Sequence, residues 1–261
     1  MFTKLLKKDL KKDMRWMWVL FVATILFACV TRGIKEIGES VAFFKIIGII
    51  FDSVFYSLAV NLLLQPFLRS FINFAKSFYS DEAYLTHTLP VTKNQLINSK
   101  VVTAIIEMSL GFICLVVSLL VMYYSPTLFD TLKLLLSTMI SGEFSLFWAL
   151  ALMLVLILME FLMYISIIFF SIVVSYRAKE KRVLRTFLTT AGIAFVALGI
   201  LSIFMAIILS INGVELTSTQ LVLPSSAFVG AMVTGIVSYS LVSVVMYILT
   251  KREFNKGVNV D

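Results

Sequence analysis

Three carboxylates, Asp52, Glu107 and Glu160, lie inside long apolar stretches of the sequence. A charge near the centre of a bilayer costs about 2.5 to 3.5 kcal/mol on insertion scales, so such residues usually face other helices or a wet cavity and mark transport paths. We therefore expect an acidic path that tolerates cationic or amphipathic substrates. The alternative is that these carboxylates snorkel towards the interface or pair with polar groups on neighbouring helices.

Residues suited to catalysis or metal binding are few. The chain has one histidine, His87, and two cysteines, Cys29 and Cys114, which fall in different apolar segments and are interpreted as small hydrophobic residues. An intramembrane metalloprotease needs several ligands at fixed spacing, and a serine protease of the usual kind needs an imidazole. No GxxxxGK[ST] phosphate loop occurs. We expect no enzyme activity, metal or cofactor on this chain.

The composition predicts a membrane protein. Of 261 residues, 60% are hydrophobic and 14% are charged, whereas a soluble domain carries about 25% charge. The predicted fold class is an all-α polytopic membrane protein, with residues 1–261 forming a single transmembrane domain and no room for a soluble domain. A short re-entrant or surface piece, residues 216–223, is expected before Pro224. The six predicted spans are residues 16–31, 46–68, 101–124, 144–176, 187–211 and 225–250.

The distribution of basic residues predicts the orientation of these spans. Lys and Arg close to spans are retained on the cytoplasmic side. All of them except Arg32, Lys35, Lys45 and Lys133 lie in the two tails and in the second and fourth connections. Both termini are therefore expected in the cytoplasm, and the net charge of +7 needs no nucleic-acid partner. The expected location is a cell membrane, that of a bacterium in particular.

The N-terminal tail, residues 1–15, has an amphipathic pattern. Phe2, Leu6, Leu10 and Met14 recur every four residues, with lysines at most positions between them. This pattern predicts an interfacial helix that lies on the inner leaflet and is held there by anionic lipids. The alternative is that the basic residues serve only as a topology signal.

The second cytoplasmic connection, residues 69–100, is the longest polar stretch. Phenylalanines at helical spacing predict that the second span continues out of the membrane as a stalk. Ser80 followed by two acidic residues is typical of a helix start, Pro90 ends that helix, and Thr92 with Gln95 forms a capping box that opens the next helix. The pattern predicts a stalk, a short transverse helix over residues 80–89, a proline turn and a second stalk.

The transverse helix is suited to insertion into a groove of a cytosolic partner, since it presents Tyr84, Leu85 and His87 between two rigid stalks. The alternative is an interfacial loop whose apolar side chains touch lipid headgroups. Residues that would dock are Ser80, Asp81, Glu82, Ala83, Tyr84, Leu85, His87 and Leu89.

Residues 77–92, SFYSDEAYLTHTLPVT, followed by Gln95 and Ser99-Lys100, resemble the cytoplasmic loop of type-2 ABC exporter permeases. In that family a hydrophobic Leu-Pro with a following Ser or Thr, and a downstream Ser-Lys, lies between the second and third spans. The six spans, the basic N-terminal segment and the cytoplasmic termini are also similar. The likeness covers the whole chain by architecture and about 25 residues by motif.

The resemblance implies a permease subunit that pairs with a second permease chain, identical or homologous, and with separate ATP-binding subunits. ATP and Mg²⁺ would then be bound by the partner, and the transverse helix would be the coupling helix. The outer connection, residues 212–226, is short, whereas many family members carry larger elements there. This departure leaves small drugs, peptides or lipids as the implied substrates, in place of polysaccharides or sterols.

A row of small residues, Ala227, Ala231 and Gly235, lies in the sixth span and allows close helix packing, either within one subunit or between two. Rival functions are an ATP-independent secondary transporter, a structural membrane subunit and an intramembrane enzyme. The secondary transporter would show inverted repeats, and the two halves of this sequence show no convincing correspondence.

Overall fold

The computed structural model describes residues 2–38, 42–79, 92–141, 145–176, 181–214 and 223–256. Over these ranges the protein is helical, apart from two strands of two residues each. The elements in chain order are α1 (Phe2–Gly38), α2 (Ala42–Tyr79), α3 (Lys93–Tyr123), α4 (Leu128–Met139), β1 (Ile140–Ser141), α5 (Leu146–Ser175), α6 (Arg182–Ile211), β2 (Leu223–Pro224) and α7 (Ser225–Asn255).

Six of these helices are long and apolar enough to cross a membrane, and they are α1, α2, α3, α5, α6 and α7. The shortest have 30 residues, which corresponds to about 45 Å, and so exceed the roughly 30 Å of a bilayer core. Each predicted span overlaps a different one of them. The predicted all-α class and the six candidate spans are therefore confirmed.

The chain divides into two compact units, Met1–Pro126 and Thr127–Asp261. Unit 1 contains α1, α2 and α3, which all pack against one another. Its apolar core includes, among the described residues, one cluster around Met17, Leu62 and Cys114 and another around Phe55 and Met122. That the whole chain forms one transmembrane domain stays a prediction.

Helix α1 differs from the predicted separate interfacial helix. It runs without a break from Phe2 to Gly38, so residues 2–15 belong to the same helix as the first predicted span. Asp9, Asp13 and Met17 are buried along this helix, because α2 and α3 pack against it. Of the apolar residues with the four-residue period, Met14 packs against the cluster around Met17, Leu62 and Cys114. That the N-terminal segment lies on the inner leaflet stays a prediction.

Unit 2 is built on α5 and α7, with α6 packed against both. Ala227, Ala231 and Gly235 are buried on α7. A Cβ atom on Gly235 would come 2.5 Å from Leu156 Cδ1 of α5, so this glycine permits the close approach of the two helices. The small-residue row thus faces a helix of the same chain.

Two features of unit 2 were absent from the sequence-based prediction. Helix α4 is a short helix with no buried residue, in a stretch that showed no span. Strands β1 and β2 pair in parallel, with Ile140 opposite Leu223. Helix α7 begins at Ser225, directly after Pro224, as predicted. Of the predicted piece at residues 216–223, only Leu223 lies within the described residues.

Candidate functional site

The predicted helical continuation on either side of the 80–92 segment is confirmed, and that these ends lie outside the membrane as stalks stays a prediction. Helix α2 continues to Tyr79, and α3 begins at Lys93. Thr92 Oγ1 accepts a hydrogen bond from the Gln95 backbone N–H at 3.3 Å, and Gln95 Oε1 accepts one from the Thr92 backbone N–H at 3.3 Å. This is the predicted capping box. The predicted coupling helix, Ser80 to Leu89, lies outside the described residues.

The end of α2 is packed by aromatic rings. Phe74 and Phe78 are fully buried, and their ring centroids are 4.8 Å apart. Leu96 and Ile97, in the first turn of α3, are also buried. Both helices that flank the 80–92 segment are therefore fixed by an apolar core close to that segment.

Asp9 of α1 ties the N-terminal part of α3 to this core. Its side chain accepts hydrogen bonds from Ser99 Oγ at 3.0 Å and from Lys100 Nζ at 2.9 Å. The Asp9 and Lys100 side chains are only 11% and 14% exposed. Ser99 and Lys100 both belong to the motif that resembles the ABC permease loop, and in the structure both bind Asp9.

Asp13, one turn further along α1, makes the equivalent connection to α2. Asn73 Nδ2 donates to Asp13 Oδ1 at 2.6 Å, and Arg69 Nη1 donates to the Asp13 carbonyl oxygen at 3.2 Å. Arg69 is itself held by Gln65 Oε1, which accepts from Arg69 Nε at 3.2 Å. Asp13 therefore links α1 to the part of α2 that leads to the 80–92 segment.

Glu107 of α3 completes this group. It is 1% exposed and lies where Asp13, Arg69 and Lys100 all act on it electrostatically. Ser99, Thr103 and Glu107 are four residues apart, so they share the face of α3 that meets α1. We call the following residues the stalk cluster: Asp9, Asp13, Arg69, Asn73, Ser99, Lys100 and Glu107.

The stalk cluster joins three helices through the buried carboxylates of Asp9 and Asp13, which have partners on α3 and α2. Burying an unpaired charge is costly, whereas buried ion pairs with good geometry and further hydrogen bonds are tolerated and favour one arrangement of the helices. The cluster holds α2 and α3 against α1 near the ends that lead into the 80–92 segment. Its arrangement is suited to transmitting a displacement of that segment to the spans.

Sequence reasoning identified one carboxylate of this cluster, Glu107, and missed Asp9 and Asp13. The available signal was their four-residue spacing in a segment otherwise rich in lysine, because acidic residues on one face of a basic helix indicate a partner for that face.

Asp52, the second predicted path residue, has a basic partner at the opposite end of unit 1. Lys35 Nζ is 2.9 Å from Asp52 Oδ1 and 5.4 Å from the centre of the Tyr123 ring. Arg32 Nη1 donates to the Val121 carbonyl oxygen at 3.1 Å and so satisfies a free acceptor in the last turn of α3. The structure therefore contains the alternative expected for Asp52, a pairing with a neighbouring helix. The partner is Lys35 of α1.

Glu160, the third predicted path residue, lies in unit 2 near the middle of α5 and is partly buried. Tyr164 of α5 and Tyr239 of α7 are within electrostatic reach of its carboxylate. Unlike Asp52, Glu160 makes no ion pair with any residue in the part of the chain that the structure describes.

No group of three His, Cys, Asp or Glu side chains that could hold a metal ion is found among the described residues. Comparisons of the chain with models of protein families, with curated proteins and with solved structures find no match.

Proposed function

We propose that this chain is the membrane-spanning permease subunit of an ATP-driven ABC exporter. In this proposal it forms the translocation path for a small hydrophobic, amphipathic or peptide substrate. ATP and Mg²⁺ bind to a separate ATP-binding subunit, and a second permease chain, identical or homologous, completes the membrane part. The 80–92 segment, with Tyr84 and Leu85, docks onto the ATP-binding subunit from the cytoplasm.

The observation that carries this proposal is that the helices on both sides of the 80–92 segment are bound to α1. Helices α2 and α3 flank the segment, and Asp9 and Asp13 of α1 bind both of them through the stalk cluster. A segment that only touched lipid headgroups would not need buried ion pairs at its base, since these pairs carry a desolvation cost. A segment that transmits force needs rigid supports.

Motif and composition add independent support. Residues 77–92 with Ser99-Lys100 resemble the permease loop of the family, and a chain without a phosphate loop must take its energy from a partner or a gradient. The six candidate spans fit a chain that is entirely a membrane subunit.

Co-purification tests this proposal. The full chain with an affinity tag, extracted from its native host in mild detergent, is expected to bring down a chain with ATPase activity. Tyr84→Arg or Leu85→Asp is expected to abolish this association, because a charge would enter an apolar groove of the partner. Leu134→Asp in α4, at a leucine that is 65% exposed, is the matched control and is expected to leave it intact.

The opposite result identifies the rival functions. If no ATPase co-purifies and the Tyr84 and Leu85 variants transport normally, the chain works as a secondary transporter or as a structural subunit. Cleavage of a peptide or lipid by the purified chain alone would instead indicate a membrane-embedded enzyme.

A further inference from the structure

Glu160 differs from the other two intramembrane carboxylates in its surroundings. Lys35 pairs with Asp52, and Arg69 and Lys100 act on Glu107. Within the described residues of unit 2, the basic residues are on the short helix α4 or near the ends of α6 and α7, far along the chain from the middle of α5. A carboxylate at this depth is costly, and such residues are by default candidates for a functional site.

Two tyrosine rings accompany this carboxylate. Tyr164 follows Glu160 by one turn of α5 and packs against the cluster that contains Tyr239 of α7. Tyr239 and Met163 belong to a buried cluster at the contact of α5 with α7, so the position of the Tyr239 ring is set by packing. Aromatic faces attract cations, most strongly where water is excluded.

Tyr239 also lines an apolar groove. This groove has a volume of about 180 Å³ and lies between α5, α6 and α7, with Met163, Leu201 and Phe204 in its walls and Ser238 as a polar group. A second groove of about 500 Å³ continues along α6 and α7 and shares Ala197, Ile200, Leu241 and Val242 with the first. Leu241 is 61% exposed, so this surface is open to the hydrocarbon of the bilayer.

The charge and shape of this region select one class of ligand. A carboxylate disfavours an anion and gains a counterion from a cation. An inorganic cation such as Ca²⁺ requires six to eight oxygen ligands, which these apolar walls do not supply. An organic cation with a large apolar body satisfies both the carboxylate and the groove.

We propose that unit 2 binds a lipophilic organic monocation, an amine or a quaternary onium ion. Its charge lies beside Glu160 and the rings of Tyr164 and Tyr239, and its apolar body lies in the groove along α6 and α7. That this monocation is the transported substrate rests on the proposed function. In an exporter the groove would be part of the translocation path, and the monocation would be the substrate class.

Binding of tetraphenylphosphonium to the full chain in phosphatidylcholine nanodiscs tests this site. Equilibrium dialysis, corrected with empty nanodiscs, gives the dissociation constant. Glu160→Gln is expected to weaken binding about tenfold, as expected for the loss of one favourable charge interaction at a desolvated site. Asp52→Asn, at a carboxylate that already has Lys35, is the matched control and is expected to change binding less than about twofold.

Two further measurements keep the test decisive if Glu160→Gln folds poorly. Glu160→Asp retains the charge and is expected to bind tetraphenylphosphonium within about threefold of the wild type. In the wild type, tetraphenylborate, an anion of the same shape, is expected to bind more weakly than tetraphenylphosphonium. Equal affinity for the two ions, or unchanged affinity in Glu160→Gln, overturns the proposal.

The outcome of this experiment is independent of the outcome for the proposed function, because binding is measured on the chain without an ATP-binding partner. If an ATPase co-purifies but binding does not depend on Glu160, the permease function stands and the substrate class is wrong. If binding depends on Glu160 but no ATPase co-purifies, the cation site stands and the coupling to ATP is wrong.

Discussion

Asp9 illustrates how a buried charge is made tolerable in unit 1. Its carboxylate accepts hydrogen bonds from Ser99 Oγ and Lys100 Nζ, which belong to a helix about 90 residues away in the sequence. Removing one member of a buried pair leaves the other charge without a partner, and this costs more stability than the intact pair contributes. The Asp9–Lys100 pair should therefore be sensitive to single substitutions and less sensitive to removal of both charges.

We predict that Asp9→Leu lowers the free energy of unfolding by about 3 kcal/mol, because it leaves the Lys100 ammonium buried without its counterion. The double variant Asp9→Leu, Lys100→Met should recover part of this loss. Titration of the full chain from mild detergent into dodecyl sulfate measures both values. Lys8→Ala, at an exposed position of the same helix, should change stability by less than about 0.5 kcal/mol.

A stability of Asp9→Leu equal to that of Lys8→Ala would show that the pair contributes nothing. An additive double variant would show that Asp9 acts through Ser99 or through the helix, and not through Lys100.

The packing of whole helices depends on a few positions where backbones approach each other. Gly111 of α3 is such a position, since a Cβ atom there would come 2.8 Å from the Leu62 carbonyl oxygen of α2. Gly235 of α7 meets only the end of the Leu156 side chain, which can rotate away. Gly192 of α6 has nothing within 4 Å of such an atom.

We predict that Gly111→Ala destabilises the protein by about 1 to 3 kcal/mol, because the backbone of α2 must move to admit the methyl group. Gly192→Ala is the matched control and should be neutral or stabilising by up to about 1 kcal/mol, since alanine favours a helix and meets no neighbour there. Gly235→Ala should fall between the two. The same dodecyl sulfate titration ranks the three variants, and equal effects of Gly111→Ala and Gly192→Ala would contradict the close contact of α2 with α3.

The described residues contain six candidate spans, an even number, so both termini should lie on the same side of the membrane. The positive-inside rule predicts that this side is the cytoplasm and that α4 lies outside. The position of the stalk cluster at the inner end of unit 1 depends on this orientation.

We predict that cysteines at positions 4 and 256 react with a membrane-impermeant maleimide only after the cells are permeabilised, whereas a cysteine at position 133 reacts in intact cells. The variants are Lys4→Cys, Lys256→Cys and Lys133→Cys in a background with Cys29→Ser and Cys114→Ala. Labelling of positions 4 and 256 from opposite sides would contradict six spans. Labelling of position 133 from the same side as the termini would contradict the predicted topology of α4.

Much of the fold was predictable from local properties of the chain. Hydropathy over about 20 residues determined where the six long helices lie, because a spanning segment must be apolar regardless of its neighbours. Thr92 with Gln95 and the proline before Ser225 determined where two helices begin, because capping uses groups within one turn. The stalk over residues 69–79 followed from the same helical spacing.

Only the tertiary structure shows which residues of different helices are in contact. Asp9 with Lys100 and Lys35 with Asp52 are pairs between helices, and no spacing in the sequence identifies which charge compensates which. For the same reason, the sequence did not identify the basic neighbours of the intramembrane carboxylates, whereas packing placed Lys35 beside Asp52 and left Glu160 without an ion pair among the described residues. The cost of burying a charge is set by its partners, and only the packed helices determine those partners.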